Sequence, residues 1–406
     1  MIWKEKSWIP GVLSKEQLIE IIQDGFISVE EDLLSDALDY SSLDLHLSHE
    51  GYRMKEGSIK PCGGRYKSFY ENSKLADRLT PDANNEFILA KTETYVFKLK
   101  ERFSPSAKDS TIFAQATAKS SIGRLDVVAR LIVDGMYAYE YMNPKHISSG
   151  EMFLEITPIT FDIKVRENVA LSQIRFFVDE PIKSIIPSSS ISDIILIGDK
   201  YNDGTLGIDL ENEKIEGKDV AAFKAKKNPD PIPVWEKGFL DPTAYWECIS
   251  SKRMKGKSRF TIEPNEFYIL RSKERLSLPK GVAVYCQAMD ETLGEMRIHY
   301  AGFAHPFFGV DRKDGKEGTP LIFEIRGHNV KVNLTDGEKL ARLVFYRMSE
   351  DCKKADKKTD GENQDEDETP EINRDYNEQE LKLSTFFMDW SQSASSTNPI
   401  IEKQAK

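Results

Sequence analysis

The chain is 406 residues long, with 39% hydrophobic and 30% charged residues and a formal net charge of −11. That length holds two or three domains, and the composition is that of a soluble globular protein. The acidic balance argues against a broad nucleic-acid or acidic-membrane surface, while leaving room for a local basic pocket that takes a small phosphorylated molecule. Cys62, Cys248, Cys286 and Cys352 stand far apart with no C-x-x-C, which fits reduced thiols in a cytoplasmic protein better than a disulfide frame or a zinc knuckle. The opening MIWKEKSWIPGVLS has no signal-peptide core, and no run nears the roughly 18 apolar residues of a membrane span. The expected location is the cytoplasm.

In chain order, LSKEQLIEIIQDG predicts a short helix with Ser14 as N-cap, Gln17 three residues on, Leu13 stapled to Leu18, and Gly25 as the stop. From about residue 40 to 180 the pattern changes to short β-branched and aromatic runs such as EFILA, YVFKL and FDIKV, broken by Gly, Pro, Asn and Asp. That is the pattern of an all-β sandwich or barrel. The segment 152–177, MFLEITPITFDIKVRENVALSQIRFF, aligns without a gap on 321–346, LIFEIRGHNVKVNLTDGEKLARLVFY, and sets Glu155 on Glu324. Upstream, in the same order, SSLDLHL (41–47) resembles LGIDLEN (206–212), EFILA (86–90) resembles EFYIL (266–270), and QATAKSSIG (115–123) resembles QAMDETLG (287–294). The chain therefore reads as two β-domains of one ancestry, 1–180 and 195–348. Residues 349–375 are nearly all charged or small and predict a mobile linker. Residues 376–390 follow it, with Leu381, Leu383, Phe386 and Phe387 able to dock again, either closing over a site or as a plain terminal strand.

Three stretches carry chemistry. AKSSIGRLD (118–126) gathers Lys119, Ser120, Ser121 and Arg124, donors suited to a phosphate chain; an ordinary helix cap or turn uses the same residue types. No P-loop occurs, and KGKS at 255–258 lacks the first glycine. Glu155 and Glu324 each sit in an apolar strand, where burial raises a carboxyl pKa toward that of a general base for a water. Equally, alternation turns such a glutamate to solvent or to an arginine such as Arg175 or Arg326. GEMRIHYAGFAHPFFG (294–309) is dense in aromatics, Gly and His and fits either a wall that stacks a planar base or a core strand and turn. His299 and His305 have no further ligand at zinc spacing, and the H-x-E with P-C-x-x-C signature of zinc nucleobase deaminases is absent from the sequence.

Together these segments resemble the dCTP deaminases of the dUTPase-like superfamily, in their two-repeat form. GVLSKEQLIEIIQDGFI with SSLDLHL is similar to the family's N-terminal helix and first strand, KSSIGRLD to its R-S-S-x-x-R phosphate motif, and FLEI and IFEI to its catalytic-glutamate strand. RLDVVARLIVDG, GEMRIHYAGFAHPFFG and QELKLSTFF are similar to the double form. The resemblance implies an all-β-dominated chain of two tandem distorted β-barrels, or jelly rolls, with a few short helices and nucleotide sites where barrels meet. It implies hydrolytic deamination of dCTP to dUTP and ammonia in pyrimidine deoxynucleotide (dUMP/dTTP) biosynthesis. Mg²⁺ would accompany the triphosphate, and no zinc and no metal-ligating residue are expected. Lys119, Ser120, Ser121 and Arg124 would bind phosphates, one of Glu155 and Glu324 would activate water, and Ala301, His305, Tyr376 and Gln379 would meet the nucleotide. Implied partners are dCTP, with dTTP or dUTP as further ligands, and copies of the chain in a homo-oligomer.

The sequence departs from that pattern in informative ways. Lys119 stands where the single-domain family has arginine, which keeps the charge and loses the bidentate fork. The first repeat keeps S-S-x-x-R where the second reads DETLGE, whereas the turn before the glutamate strand is better echoed by AGFAHPFFG than by DGMYAYEYM, with His305 in place of aspartate. The expectation is a division of labour: phosphates on the first repeat, base pocket and Glu324 on the second, Glu155 a relic or structural partner. The alternatives are a dUTP diphosphatase or bifunctional deaminase–diphosphatase, with Asp126 or Asp134 activating water, a nucleotide-binding sensor without turnover, and a structural β-protein.

Overall fold

A computed structural model describes residues 8–198, 203–289, 296–299, 302–353 and 379–390. Helix Lys15–Gln23 begins on a capping box: the Ser14 hydroxyl accepts from the Gln17 amide at 3.3 Å, and the Gln17 side chain accepts from the Ser14 amide at 3.0 Å. Leu13 and Leu18 are fully buried beside it. Gly25, at φ +72°, ends it in the left-handed region that glycine enters without a Cβ penalty.

Beyond this helix the described chain is mostly antiparallel strand, in two curled sheets of matching topology. In the first, Glu151–Pro158 runs between Thr94–Phe103 and Val127–Val133, and Ala170–Val178 runs between Leu43–Met54 and Ile112–Ala118, with Tyr141–Met142 at the edge. In the second, Thr319–Gly327 runs between Phe267–Leu276 and Met296–His299, and Lys339–Arg347 runs between Thr205–Asp209 and Val282–Ala288, with Phe303–Ala304 at the edge. Each repeat carries a bulge on its last long strand, with Leu171 and Leu340 the extra residues, and engages the facing amide in the same way. The Glu101 carboxylate accepts from the His46 amide at 2.9 Å, and Glu274 accepts from the Gly207 amide at 2.7 Å. These are the tandem curled β-sheets that the sequence patterning predicts.

The pairing also corrects parts of the repeat alignment. The long match holds residue for residue, since Glu155 and Glu324 occupy the same place in equivalent strands. EFILA does not pair off with EFYIL: Glu86–Leu89 lies beside Ile163–Arg166, so its counterpart is Lys257–Ile262, which lies beside Val332–Thr335. Asp44 stands opposite Gln173, and Thr205 stands opposite Arg342, the counterpart of Gln173, so Asp44 matches Thr205 and not Asp209. Met142 and Ala304 hold equivalent edge places, which makes YEYMNPKHI (139–147) the counterpart of AGFAHPFFG. Five-residue apolar runs are too common to fix register; the long match fixes it because two strands and their turn must agree at once.

Leu154 and Ile156 point into one hydrophobic cluster, Phe323 and Ile325 into another, and alternation turns Glu155 and Glu324 to the opposite faces of their strands. Those faces are covered differently. Over Glu155 lies residue 55–75 of its own repeat, which packs Tyr66 and Tyr70 onto Phe153. Ile322, on the face of Glu324, packs against the cluster that holds Leu154 and Ile156, which takes in residues of both repeats such as Phe267 and Ile269.

Gly11–Val12 pairs with Ala170–Val178, the Ser349 amide donates to Val12 O at 2.7 Å, and Ile163–Arg166 pairs in parallel with Ile232–Pro233. These bonds join the two repeats along one seam. Ser349 and Cys352, expected within the linker, are buried against the body; residues 354–375 lie outside the described residues. Leu381, Leu383, Phe386 and Phe387 are buried, the Phe239 and Leu240 amides donate to Phe386 O, and Trp390 stacks on Phe223 at 5.2 Å. Among the described residues no helix is long and apolar enough to cross a membrane.

Candidate active site

The face of Glu324 meets the turn that follows Ile112–Ala118. Lys119 precedes the short helix Ser120–Gly123, and Arg124 and Asp126 come directly after it. Gly123 lies so close to Glu324 that a Cβ built there would stand 2.4 Å from Oε2. Glu324 is 4% exposed, and its Oε2 has no hydrogen-bond partner among the described residues. Burial holds its pKa well above the ordinary carboxyl value, the Arg124 charge opposes that shift, and Asp126 adds to it. Such a carboxyl takes up a proton more readily than an ordinary glutamate, as a general base must.

Glu155 is in different company. Arg130, on the neighbouring strand, binds its Oε1 through Nε at 3.2 Å and also through Nη2, Ser58 donates at 3.1 Å, and the Tyr139 hydroxyl donates to Oε2 at 3.0 Å. The Arg130 guanidinium in turn lies 4.0 Å from the Tyr139 ring centroid. Both carboxylate oxygens are thus taken by first-repeat groups. In the strand register His299 holds the place of Arg130, and by the edge-strand match Ala301 is the counterpart of Tyr139. The second repeat thus has histidine and alanine in sequence at the positions equivalent to the arginine and tyrosine that occupy Glu155. Neither Arg175 nor Arg326 pairs with either glutamate in the described bonds.

The phosphate motif divides in two. Lys119, one-third exposed, ion-pairs with Asp44, and Ser120 is half-buried beside it. Ser121 is buried, with its carbonyl accepting from the Ser384 hydroxyl at 2.7 Å. Arg124 is 2% exposed and faces inward, donating to Gln379 Oε1 at 2.6 Å and to the carbonyls of Lys382 and Leu383 at 3.1 and 3.2 Å. The four residues expected to face one phosphate chain do not form a single surface, because the last of them is buried under residues 379–383.

Gln379 therefore lies against Arg124, while Ala301 and Tyr376 lie outside the described residues. His305 is elsewhere along the seam: Nδ1 is 2.9 Å from Ser41 Oγ and Nε2 is 3.4 Å from Asp39, and burial lowers its pKa to about 4. It is neutral at physiological pH. One face of Phe303 is covered by the Arg175 guanidinium at 3.9 Å, and Arg175 donates to the carbonyls of Val284 and Ala304 at 3.1 and 3.3 Å. This part of AGFAHPFFG joins the two repeats.

Asp126, a diphosphatase candidate, accepts from Arg326 Nε at 2.7 Å and from Thr160 at 2.6 Å. Asp134, the other, accepts from the Tyr66 amide at 2.9 Å and from Ser149 at 2.6 Å. Sequence reading missed Gly123, whose part is visible only from the distance to Glu324. It also missed Arg312, which belongs to no motif, and Glu380, which stands in QELKLSTFF beside Gln379. Among the described residues no group of three or more His, Cys, Asp or Glu is placed to hold a metal ion.

Two curled-sheet repeats that meet where a buried carboxylate of one faces the hydroxyl-rich turn of the other define a tandem protein of the dUTPase-like class. Residues 9–180 match the family model for the 2'-deoxycytidine 5'-triphosphate deaminase N-terminal domain, and residues 192–387 match that for the C-terminal domain. The chain belongs to the dCTP deaminase family, in its two-domain form. Among solved structures it is similar to the 2'-deoxycytidine 5'-triphosphate deaminase of Agrobacterium tumefaciens, with a TM-score of 0.75 and 27% identity over 84% of this chain and 97% of that one. A sequence search of curated proteins gives no match.

Proposed function

We propose that the chain hydrolyses dCTP to dUTP and ammonia without zinc, with Glu324 as the general base. One observation carries this reading: of two equivalent glutamates, Glu155 has both oxygens taken by Arg130, Ser58 and Tyr139, while Glu324 keeps an unpartnered buried oxygen beside the KSSIGR turn. In the reaction Glu324 takes a proton from water as its oxygen bonds to C4 of cytosine. That proton goes to N3, and Glu324 then carries the proton of the new C4 hydroxyl to the exocyclic nitrogen, so that the C4–N bond breaks, ammonia leaves and the C4 carbonyl forms. Arg124 supplies a fixed positive charge next to that carboxylate. Lys119, Ser120 and Ser121 take the triphosphate, with Lys119 exchanging Asp44 for phosphate, and Gln379 closes the site from the tail.

Mg²⁺ enters this reading as a companion of the triphosphate, held by phosphate oxygens, with no cage of protein ligands. The setting is the cytoplasmic nucleotide pool, and the chain works as a homo-oligomer. The engagement of Asp126 by Arg326 and Thr160, and of Asp134 by Tyr66 and Ser149, favours deamination over diphosphatase chemistry. Incubation with dCTP and, separately, dUTP, following ammonia and pyrophosphate, tests the reading. It expects ammonia from dCTP and no pyrophosphate from dUTP, with turnover lost in Glu324→Gln and kept in Glu155→Gln. Turnover lost in Glu155→Gln alone overturns the assignment of the base, and tight dCTP binding without ammonia supports the sensor instead.

A further inference from the structure

We infer that Glu380 is a positioning residue of this site: it clasps the start of the C-terminal segment to the second repeat, so that Gln379 holds the Arg124 guanidinium beside Glu324. The inference rests on the assignment of Glu324 and Arg124 proposed above.

The Glu380 carboxylate is surrounded by cations. Arg275 meets it through both η nitrogens, at 2.7 and 3.1 Å, Arg312 Nη2 stands at 3.0 Å and Lys316 Nζ at 3.1 Å, with Arg271 Nη1 at 3.7 Å. Among the described residues, Arg271 also pairs with Asp209 and Glu213, Arg312 and Lys316 also pair with Asp314, and Glu380 is the acid paired with Arg275. A forked, partly buried pair of this kind is geometrically specific, which a lone surface ion pair is not.

The clasp reaches the reacting carboxylate in two steps. Arg312, whose side chain is fully buried, donates to Thr319 Oγ1 at 2.8 Å and to the Gln379 carbonyl at 3.3 Å. The Gln379 amide nitrogen donates to Pro320 O at 2.9 Å, and its oxygen accepts from Arg124 at 2.6 Å. Thr319 and Pro320 open the strand that carries Glu324. One dipeptide therefore fixes the first-repeat arginine relative to the second-repeat strand. The far end of the segment is anchored separately, by Phe386, Phe387 and Trp390, so loss of the clasp loosens Gln379 without undocking the rest.

Glu380→Gln keeps the shape of the side chain and removes its charge. The expected result is a fall in kcat for dCTP of about 10- to 100-fold, the scale of a small misplacement in a catalytic constellation, with KM changed less than about threefold. The acid limb of the kcat/KM profile moves to higher pH, because Arg124 no longer restrains the Glu324 pKa while Asp126, the other charged group facing it, still raises it. A purely structural loss lowers the amplitude and leaves the limb in place. Hydrogen exchange rises at residues 379–383 in Glu380→Gln and stays unchanged in Asp314→Asn, which removes an acid from the same cation cluster and keeps wild-type kcat. Glu380→Gln with wild-type kcat and limb, or a lower amplitude with the limb unmoved, overturns the role of Glu380 and leaves the proposed reaction standing. A wild-type chain that releases no ammonia overturns the reaction and the positioning role with it.

Discussion

The carboxylate of Glu324 lies directly against the α-carbon of Gly123, 2.4 Å from Oε2 to where a β-carbon would be. Gly123 ends a helical turn and lies outside the positive-φ set, so glycine is required there for space and not for backbone freedom. In Gly123→Ala the new methyl pushes the carboxylate aside, since the end of a side chain yields more easily than backbone. Turnover of dCTP is expected to fall by about 100-fold, while alanine in a helix offsets much of the strain. Steady-state kinetics beside a melting curve checks both halves of this expectation.

Glu324→Gln is expected to stabilise the protein as it inactivates it, and only above the acid range. Its folded pKa is raised, so the folded chain binds more protons than the unfolded one between the ordinary glutamate value and the raised one, and stability is lost as pH rises through that window. Above it the wild type bears the cost of a buried charge that glutamine lacks. Melting temperatures should therefore coincide at pH 4 and increasingly favour the variant as pH rises through the window. The same raised pKa places the acid limb of kcat/KM in the wild type above the ordinary glutamate range.

At the equivalent position the opposite is expected. Glu155→Ala leaves Arg130, Tyr139 and Ser58 without their shared acceptor, and breaking such a pair costs about 3–5 kcal/mol. Activity per folded molecule should stay within about threefold of wild type. Denaturant melts with kinetics corrected for folded fraction separate the two effects.

Asp126 joins the repeats and tunes the site at once. It adopts φ 59° and pairs with Arg326 across the seam, and asparagine tolerates that backbone well. Asp126→Asn is expected to cost about 2–4 kcal/mol through the unpaired arginine. It also moves the acid limb to lower pH, because the negative charge that raises the Glu324 pKa is gone. That direction is opposite to the one expected for Glu380→Gln, and a pH profile of both variants reads the contrast.

The sequence displays some of these relationships plainly. The capping box at Ser14 and Gln17 is local, and the match of 152–177 to 321–346 spans two strands and a turn, so both are legible before any fold is known. His305 shows the limit. Its neighbours in sequence resemble a base-binding turn, yet Asp39 and Ser41, which hold it, come from the other repeat.

What the sequence by itself determined is the pair: two β repeats, a glutamate at one place in each, and a hydroxyl-rich turn kept only in the first. Periodicity and spacing carry that information because strands and turns are built from neighbours in the chain. Which glutamate is free was decided only by the tertiary structure. The face of Glu155 is covered by its own repeat, through Arg130, Tyr139 and Ser58, whereas the face of Glu324 is turned to Gly123, Arg124 and the segment after Gln379. Those partners lie far away in sequence, and no local pattern records them. The protonation of a buried carboxyl depends on the charges and dipoles around it, and the fold alone sets these.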